Sequence, residues 1–279
     1  MRGTASVVIA VLVGAAVGCT ADDDTAADTG ETAESAAPVT ATLQRSTLFE
    51  THRSLRLTVT NDASQDLVIE AVQLSSPLFE PVALQTRDVP VAASDRVAIP
   101  LPFGTAQCDD VTDEPPELIA RLAGEEVRVA LEERPSGLLS TLHDLECAAT
   151  EVLASVDLRL GDTWKRTEAR TIEGEIELDQ RSSGVTAMLD EVRGNVIFSV
   201  STAGAGGAPV EVADDEPSAA GRIAITAARC DPHALIEYKR TFIFSAYVEV
   251  DGGERTRVDI TAEGGARRAL EELLRSCIG

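Results

Sequence analysis

Hydrophobic and polar residues alternate with a period of two along much of the chain from Val39 onward. Because successive side chains of a strand point to opposite faces, this alternation indicates strands with one buried face. The clearest run is 55–60, Leu-Arg-Leu-Thr-Val-Thr, and a polar turn at 61–64 follows it. Short strands separated by turn residues predict a mainly β protein of antiparallel sandwich or barrel type. Further strands are predicted at 67–69, 72–74, 79–84, 96–101, 118–122 and 127–131.

Two stretches have helical rather than strand periodicity. The first places Leu138, Leu142 and Leu145 on one face, with Ser136 as its N-cap and Cys147 at its end. On this helix, His143 is expected on the exposed side. The second stretch carries an apolar stripe at i, i+3, i+4 and i+7, formed by Leu270, Leu273, Leu274 and Cys277.

The order of these elements recurs, which predicts two copies of one unit. Residues 55–82 correspond to 175–200, and 96–99 before Cys108 correspond to 222–225 before Cys230. A turn at Gly124 corresponds to Asp251-Gly252, a strong hairpin signal. The predicted domains are 39–150 and 151–279, each closed by a short helix. Residues 151–170, which include Trp164, form either a linker or the first strand of the second copy, and 203–220 form a long loop.

The N-terminus has the layout of a secretory signal at residues 1–18. Arg2 precedes an apolar run from Val7 to Val17, which is shorter than the roughly 20 residues a membrane-spanning helix needs. Cys19 directly after Ala16-Val17-Gly18 resembles the lipobox of bacterial lipoproteins, although the family more often has Leu where Ala16 stands. The resemblance implies that Cys19 is the lipid attachment site; ordinary cleavage after Gly18 and plain secretion remain the alternative. Residues 19–38 are acidic and lack periodicity, so they are predicted to be a disordered tether.

The chain has five cysteines, and acylation of Cys19 accounts for the odd one. The other four lie at matching places in the two copies. The repeat therefore predicts the disulfides Cys108–Cys147 and Cys230–Cys277, formed in the oxidising compartment that export supplies. Zinc binding is disfavoured because the chain has no C-x-x-C pair, so no metal or cofactor is predicted.

Composition excludes some classes of function. A formal net charge of −23 disfavours binding to nucleic acid, which needs basic residues to displace counterions. Aromatic residues make up only 3%, so there are few rings for stacking on sugars or bases.

The richest polar stretch is 229–240. Pro232 can start a helical turn that Asp231 caps, which places His233 and Glu237 on one face at i, i+4, with Lys239 nearby. Such a pair could serve a metal or acid–base chemistry, but a solvated turn is the preferred interpretation, and Asp109 and Asp231 are taken as structural caps. No catalytic residue is predicted. Trp164 is expected to pack rather than stack on a ligand.

With Cys19, the two copies and the 229–240 stretch, the chain resembles exported lipoproteins of high-GC Gram-positive bacteria. The resemblance implies two tandem immunoglobulin-like β-sandwiches on the outer face of the cytoplasmic membrane, and transfers no activity. We therefore expect a monomeric, lipid-anchored, non-enzymatic binding or scaffolding module that contacts an envelope protein. One alternative is capture of a cation or small molecule by the acidic loops 109–110, 113–114 and 214–216. Another is an envelope hydrolase built on His233 and Glu237.

Overall fold

A computed structural model describes residues 38–46, 53–109, 111–202, 209–213 and 215–278. The predicted signal, Cys19 and nearly all of the tether lie outside the described residues. So do His52, Asp110, Asp214 and the Gly-rich stretch 203–208. Within the part described, the protein is mainly β, as the alternating pattern predicts.

The elements follow in chain order. The strands are β1 (Val39–Gln44), β2 (Ser54–Asn61), β3 (Leu67–Ser75), β4 (Gln85–Val91), β5 (Arg96–Pro102), β6 (Glu117–Leu122), β7 (Glu125–Arg134), β8 (Val156–Leu160), β9 (Lys165–Glu168), β10 (Thr171–Gln180), β11 (Ala187–Arg193), β12 (Phe198–Thr202), β13 (Val210–Val212), β14 (Ser218–Ala227), β15 (Ile243–Val250) and β16 (Thr256–Thr261). The helices are α1 (Leu138–Ser155), α2 (Pro232–Glu237) and α3 (Gly264–Ile278).

Strands β1–β7, the first half, form two layers that share one strand. One layer has the order β4-β3-β6-β7 and the other the order β1-β2-β5. Residues 125–130 of β7 pair antiparallel with β6, whereas residues 131–134 run parallel to β1. Because β7 passes from one layer to the other, all seven strands are joined along one hydrogen-bonded path.

Strands β8–β16, the second half together with α3, repeat this pairing. One sheet has the order β12-β14-β10-β8, with β9 also on β10, and the other has the order β13-β11-β15-β16. The order β1-β2-β5 thus recurs as β8-β10-β14, and β3-β6-β7 recurs as β11-β15-β16. The same pairing order occurs twice, at the places where the sequence predicts two copies of one unit.

Residues 37–279 form one compact unit that contains two separate apolar cores. Leu43, Leu57 and Leu101 belong to the first core. Phe198 and Phe244 belong to the second, and their ring centroids lie 6.0 Å apart.

Helix α1 contributes to both cores. Leu138 and Leu139 at its start are buried in the first core, and Val152 near its end is buried in the second. The helix also lies against β15 and β16. The boundary predicted after residue 150 therefore falls inside a continuous helix.

Three local predictions are wrong. The first closing helix extends beyond Cys147 to Ser155, and its cap is not Ser136. Gly137 precedes it with a φ of 73°, and the Oε2 of Glu133 accepts a hydrogen bond from the Leu139 N–H at 2.6 Å. The predicted strand at 79–84 is reduced to one bridge, between Phe79 and Ala106, and the next strand is β4.

The third error concerns His143, which is held between α1 and the first half. Its Nε2 lies 2.8 Å from the carbonyl oxygen of Gln107, its ring packs edge-on to Phe79, and its side chain is only 13% exposed. The sequence pattern predicts the solvent side for His143 because the pattern of a single helix does not show which elements pack against it.

The disulfides join Cys108 to Cys147 and Cys230 to Cys277, the pairs that the repeat predicts. Their Cα atoms are 5.5 Å and 5.4 Å apart, within the range that disulfides normally span. Each bond fastens a helix to the segment that follows a strand, β5 in the first half and β14 in the second. Closing loops of 39 and 47 residues is worth about 4 kcal/mol each in the chain-entropy account.

Helix α3 has the predicted apolar stripe. Leu270 and Leu273 are fully buried, and Leu274 and Cys277 pack against the same core. Asp162, in the loop after β8, accepts a hydrogen bond from the Gly265 N–H at 2.7 Å and so caps this helix. The approach is close enough that a Cβ on Gly265 would overlap the backbone of Asp162.

If α1 belongs to both cores, shortening Val152 should destabilise the second half although the residue lies on the helix that closes the first. We expect Val152→Ala to lower the free energy of unfolding by about 1–2 kcal/mol, since it leaves a buried cavity. Glu151→Ala, at an exposed position on the same turn of α1, should change it by less than about 0.5 kcal/mol. Urea unfolding followed by circular dichroism measures both, and equal effects would contradict this arrangement.

Candidate functional site

The predicted polar stretch folds as a capped helical turn. Helix α2 begins at Pro232, and Asp231 accepts a hydrogen bond from the Ala234 N–H at 2.8 Å through its Oδ1. This backbone hydrogen bond holds the pKa of Asp231 below its ordinary value, and Arg229, whose Nε is 3.3 Å from the carboxylate, lowers the pKa further. Asp231 is therefore the structural cap that the sequence predicts.

His233 and Glu237 lie close together as predicted, but both side chains are exposed to solvent. The Nε2 of His233 lies 3.3 Å from the Oε1 of Glu237, and the two side chains are 83% and 65% exposed. Lys239 donates to the carbonyl oxygen of Ile236 at 2.6 Å. A general acid–base pair works in a site that excludes water and holds its substrate, and nothing in this geometry provides one. The arrangement supports the solvated turn over the hydrolase alternative.

The described residues of the acidic loops form no second site. Asp109 does not cap a helix, since no helix occurs between it and β6 among the described residues. In the described parts of the chain, no group of three or more His, Cys, Asp or Glu side chains is placed to hold a metal ion. The same residues contain no helix long and apolar enough to cross a membrane.

A cavity of about 950 Å³ lies on the second half beside β8, β10 and β14. Its charged groups are largely matched. The guanidinium of Arg159 lies 2.5 Å from the carboxylate of Glu177. Hydrogen bonds to Asp179 and Asp157 also raise the pKa of this guanidinium. On the neighbouring strands, Glu175 is the register partner of Arg222. Such a surface is typical of a solvated sheet face.

Trp164, between the lining residues Thr163 and Lys165 in the chain, packs as predicted. Its Nε1 donates to the carbonyl oxygen of Gly161 at 2.6 Å, and its ring occupies the space that a Cβ on Gly174 would take. The indole N–H is therefore satisfied inside the fold, and the ring covers β10 rather than facing a ligand.

A second concave surface lies where α1 passes between the two halves, and we call it the junction groove. It has a volume of about 360 Å³. Its lining residues come from β2, α1, β16 and the loops next to β1, β2, β5 and β15: Arg45, Arg53, Ser54, Leu55, Phe103, Leu142, Leu145, Glu146, Ala149, Leu153, Arg240, Arg257 and Asp259.

One face of α1 forms the apolar side of the groove. Leu142, Leu145, Ala149 and Leu153 share this face because they follow the i, i+3, i+7, i+11 spacing. Leu145 is 49% exposed and Leu153 is 38% exposed, although both are large hydrophobic residues. The sequence places Leu145 on one helical face with Leu138 and Leu142, which suggests that all three are buried together. In the structure Leu145 is exposed, because the second half of the helix lies away from the first core.

The rim of the groove is basic. Four guanidiniums line it, from Arg45, Arg53, Arg240 and Arg257, and the carboxylates of Glu146 and Asp259 are also among the described lining residues. Arginines are thus concentrated here on a chain whose formal net charge is −23.

Contacts within the protein hold these guanidiniums in place. Arg53 is 2.8 Å from Glu146 and its guanidinium lies 4.9 Å from the ring centroid of Phe103. Arg240 and Arg257 share Asp259, and Arg257 approaches it to 2.9 Å. Because two cations share one carboxylate, Asp259 cannot neutralise both.

Sequence reasoning missed this groove because its residues come from six separate segments. One available signal is the continuation of the Leu142 and Leu145 spacing through Ala149 to Leu153, beyond the predicted end of the helix. The four arginines have no common sequence motif, so only the fold brings them together.

A hydrogen bond from the backbone depresses the pKa of Asp231 more than Arg229 does, and this can be tested. We expect the carboxyl to titrate below the usual range of aspartate in the wild type and to remain below it in Arg229→Gln. Because the folded-state pKa is lowered, the stability that the cap contributes is present above the unfolded-state pKa and is lost as pH falls through the folded-state value. Carboxyl carbon NMR titration measures the pKa; an ordinary value in Arg229→Gln would contradict the assignment.

Comparison with known proteins yields structural similarity only at a low level. No protein-family model matches the chain, and no curated protein matches it. A protein of unknown function from Porphyromonas gingivalis W83 is 15% identical, covers 81% of this chain and 100% of its own, and has a TM-score of 0.22. Red sea bream transglutaminase is 10% identical over 81% of this chain and 31% of its own, with a TM-score of 0.25. The YadV chaperone is 11% identical over 80% and 98%, with a TM-score of 0.20.

Proposed function

We propose that this protein is an exported lipoprotein, anchored by acyl chains on Cys19 to the outer face of the cytoplasmic membrane. The signal-like N-terminus and the small residues before Cys19 support this location. Two disulfides support it as well, since such bonds form and persist outside the reducing cytoplasm. The fifth cysteine is then the acylated residue.

The body is proposed to be two tandem immunoglobulin-like sandwiches. In constant-type immunoglobulin domains one sheet holds strands A, B, E and D and the other holds C, F and G. The second half supports this proposal with the orders β8-β10-β14-β12 in one sheet and β11-β15-β16 in the other, to which β9 and β13 are additional strands. The first half supports it with β1-β2-β5 and β3-β6-β7, where β4 is an additional strand and no fourth strand lies beside β5 among the described residues.

The proposed role is a non-enzymatic binding module of the cell envelope, with the junction groove as its contact surface. The main support for this role is the exposure of Leu145 and Leu153 on a concave surface that lies between the two halves and is lined by arginines. Exposed apolar surface of this kind is typical of sites that contact other molecules. We expect the protein to be monomeric and not to bind nucleic acid, because of its net charge.

Lipid anchoring predicts that Cys19 carries acyl chains. Cells grown with an alkyne analogue of palmitate should label the wild-type protein and should not label Cys19→Ser, which lacks the acceptor thiol. Wild-type protein should also remain in the membrane fraction after a high-salt wash. Absence of label, with a mature N-terminus at Cys19 by mass spectrometry, would instead indicate plain secretion.

A binding role for the junction groove predicts position-specific crosslinking in cells. A photoreactive phenylalanine analogue at Leu153 should give a discrete adduct of higher mass, because its partner covers this position. The same analogue at Val68, which is 44% exposed on β3, serves as the control and should give none. Identical adduct patterns from the two positions, or no adduct from Leu153, would contradict the role.

A further inference from the structure

We propose that the Cys108–Cys147 bond is a thiol–disulfide exchange site, opened and re-formed by an external dithiol, whereas the Cys230–Cys277 bond is a permanent crosslink. The inference does not depend on the proposed binding role of the junction groove. It follows from a comparison of the two bonds, which lie at matching places in the two halves but have different surroundings.

The two bonds are alike in the chain segments that they join. Their sequence separations are 39 and 47 residues, and their Cα atoms are 5.5 Å and 5.4 Å apart. Each connects a helix to the segment after a strand, so the chain-entropy contributions of the two bonds are nearly equal. A difference in reactivity therefore has to come from what surrounds the sulfurs.

The first difference is access. Cys108 is exposed, whereas Cys147, Cys230 and Cys277 are half-buried. Cys230 and Cys277 both pack against the second core, and neither Cys108 nor Cys147 is among the residues that form or cover the first core. Because exchange begins when a thiolate reaches one sulfur of the bond, access limits its rate. Cys108 is thus the sulfur most open to attack.

The second difference is a hydrogen-bond donor beside the sulfur that would leave. Attack on Cys108 makes Cys147 the leaving group. The Nε2 of His143 lies 2.8 Å from the carbonyl oxygen of Gln107 and 3.5 Å from the Sγ of Cys147. Since a carbonyl oxygen only accepts, this nitrogen carries a hydrogen. The N–H group is therefore in place to stabilise a thiolate on Cys147, and a stabilised thiolate leaves more readily.

The second bond has a different neighbour. The Sγ of Cys230 lies 4.0 Å from the carbonyl oxygen of Ala227. That oxygen is an acceptor, so it gives no stabilisation to a thiolate.

The exchange itself is a balanced two-electron step. A thiolate of the external dithiol attacks the Sγ of Cys108, the bond between Cys108 and Cys147 breaks, and Cys147 leaves with the electron pair as a thiolate. The second thiolate of the dithiol then attacks the dithiol sulfur of this mixed disulfide and releases Cys108 as a thiolate. The dithiol is oxidised to a disulfide, and the two protons that it gives up end on Cys108 and Cys147. The reverse sequence re-forms the bond.

Other contacts keep the two cysteines together when the bond is open. The ring of His143 packs edge-on to Phe79, and its hydrogen bond to Gln107 holds α1 beside the residue that precedes Cys108. The two ends of α1 remain buried in their cores. Opening therefore leaves the helix in place, with Cys147 still facing Cys108.

The test uses the full chain with Cys19→Ser, which removes the fifth thiol. Dithiothreitol is the probe, N-ethylmaleimide stops the reaction at successive times, and peptide mass spectrometry follows each bond separately. We expect Cys108–Cys147 to open about tenfold faster than Cys230–Cys277 or more, with an unchanged circular dichroism spectrum. Equal rates, faster opening of Cys230–Cys277, or loss of the spectrum in step with opening of Cys108–Cys147 would overturn the proposal.

Glutathione identifies the sulfur that is attacked. Because it has one thiol, it leaves a mixed disulfide when the reaction is stopped early with acid. We expect the glutathione adduct on Cys108 and a free thiol on Cys147. An adduct mainly on Cys147 would contradict the assignment of Cys147 as the leaving group.

Two variants test the donor. His143→Phe keeps an aromatic ring beside Phe79 and removes the N–H group, so it should slow the opening of Cys108–Cys147 about fivefold. His143→Gln supplies an amide N–H and should recover part of the rate. The opening rate of Cys230–Cys277 is the internal control and should be the same in all three proteins. If Cys108–Cys147 opens in His143→Phe as fast as in the parent chain, or faster, the proposal fails.

Discussion

The arrangement of the molecule depends on one constraint: α1 buries its two ends in different apolar cores. Leu138 and Leu139 cannot leave the first core, and Val152 cannot leave the second, without exposing apolar surface worth roughly 1.5–3 kcal/mol for each side chain. The Cys108–Cys147 bond and the contact of His143 with Gln107 fix the middle of the helix to the first half. The helix is thereby a structural element of both halves rather than a linker between them.

This constraint explains why the junction groove exists. A helix that serves two cores must turn part of its apolar face toward the gap between them, because each sandwich covers only the end that it binds. Leu145 and Leu153 lie on that part and remain exposed. The segments beside β1 and β2 bring in Arg45 and Arg53, whereas the segment before β15 brings in Arg240 and β16 itself brings in Arg257. The groove thus exists because the two halves of the protein share α1.

The sequence predicts those features that depend on local pattern or on internal comparison. Strand alternation, the hairpin turn at Asp251-Gly252 and the two disulfides follow from period, turn chemistry and the repeat, and the structure has all three. Features that depend on tertiary neighbours are not predictable in this way. Nothing local shows that α1 enters a second core, that β7 passes between layers, or that Leu145 is exposed. The groove belongs to this second class, since its arginines lie on segments more than 200 residues apart at the extremes.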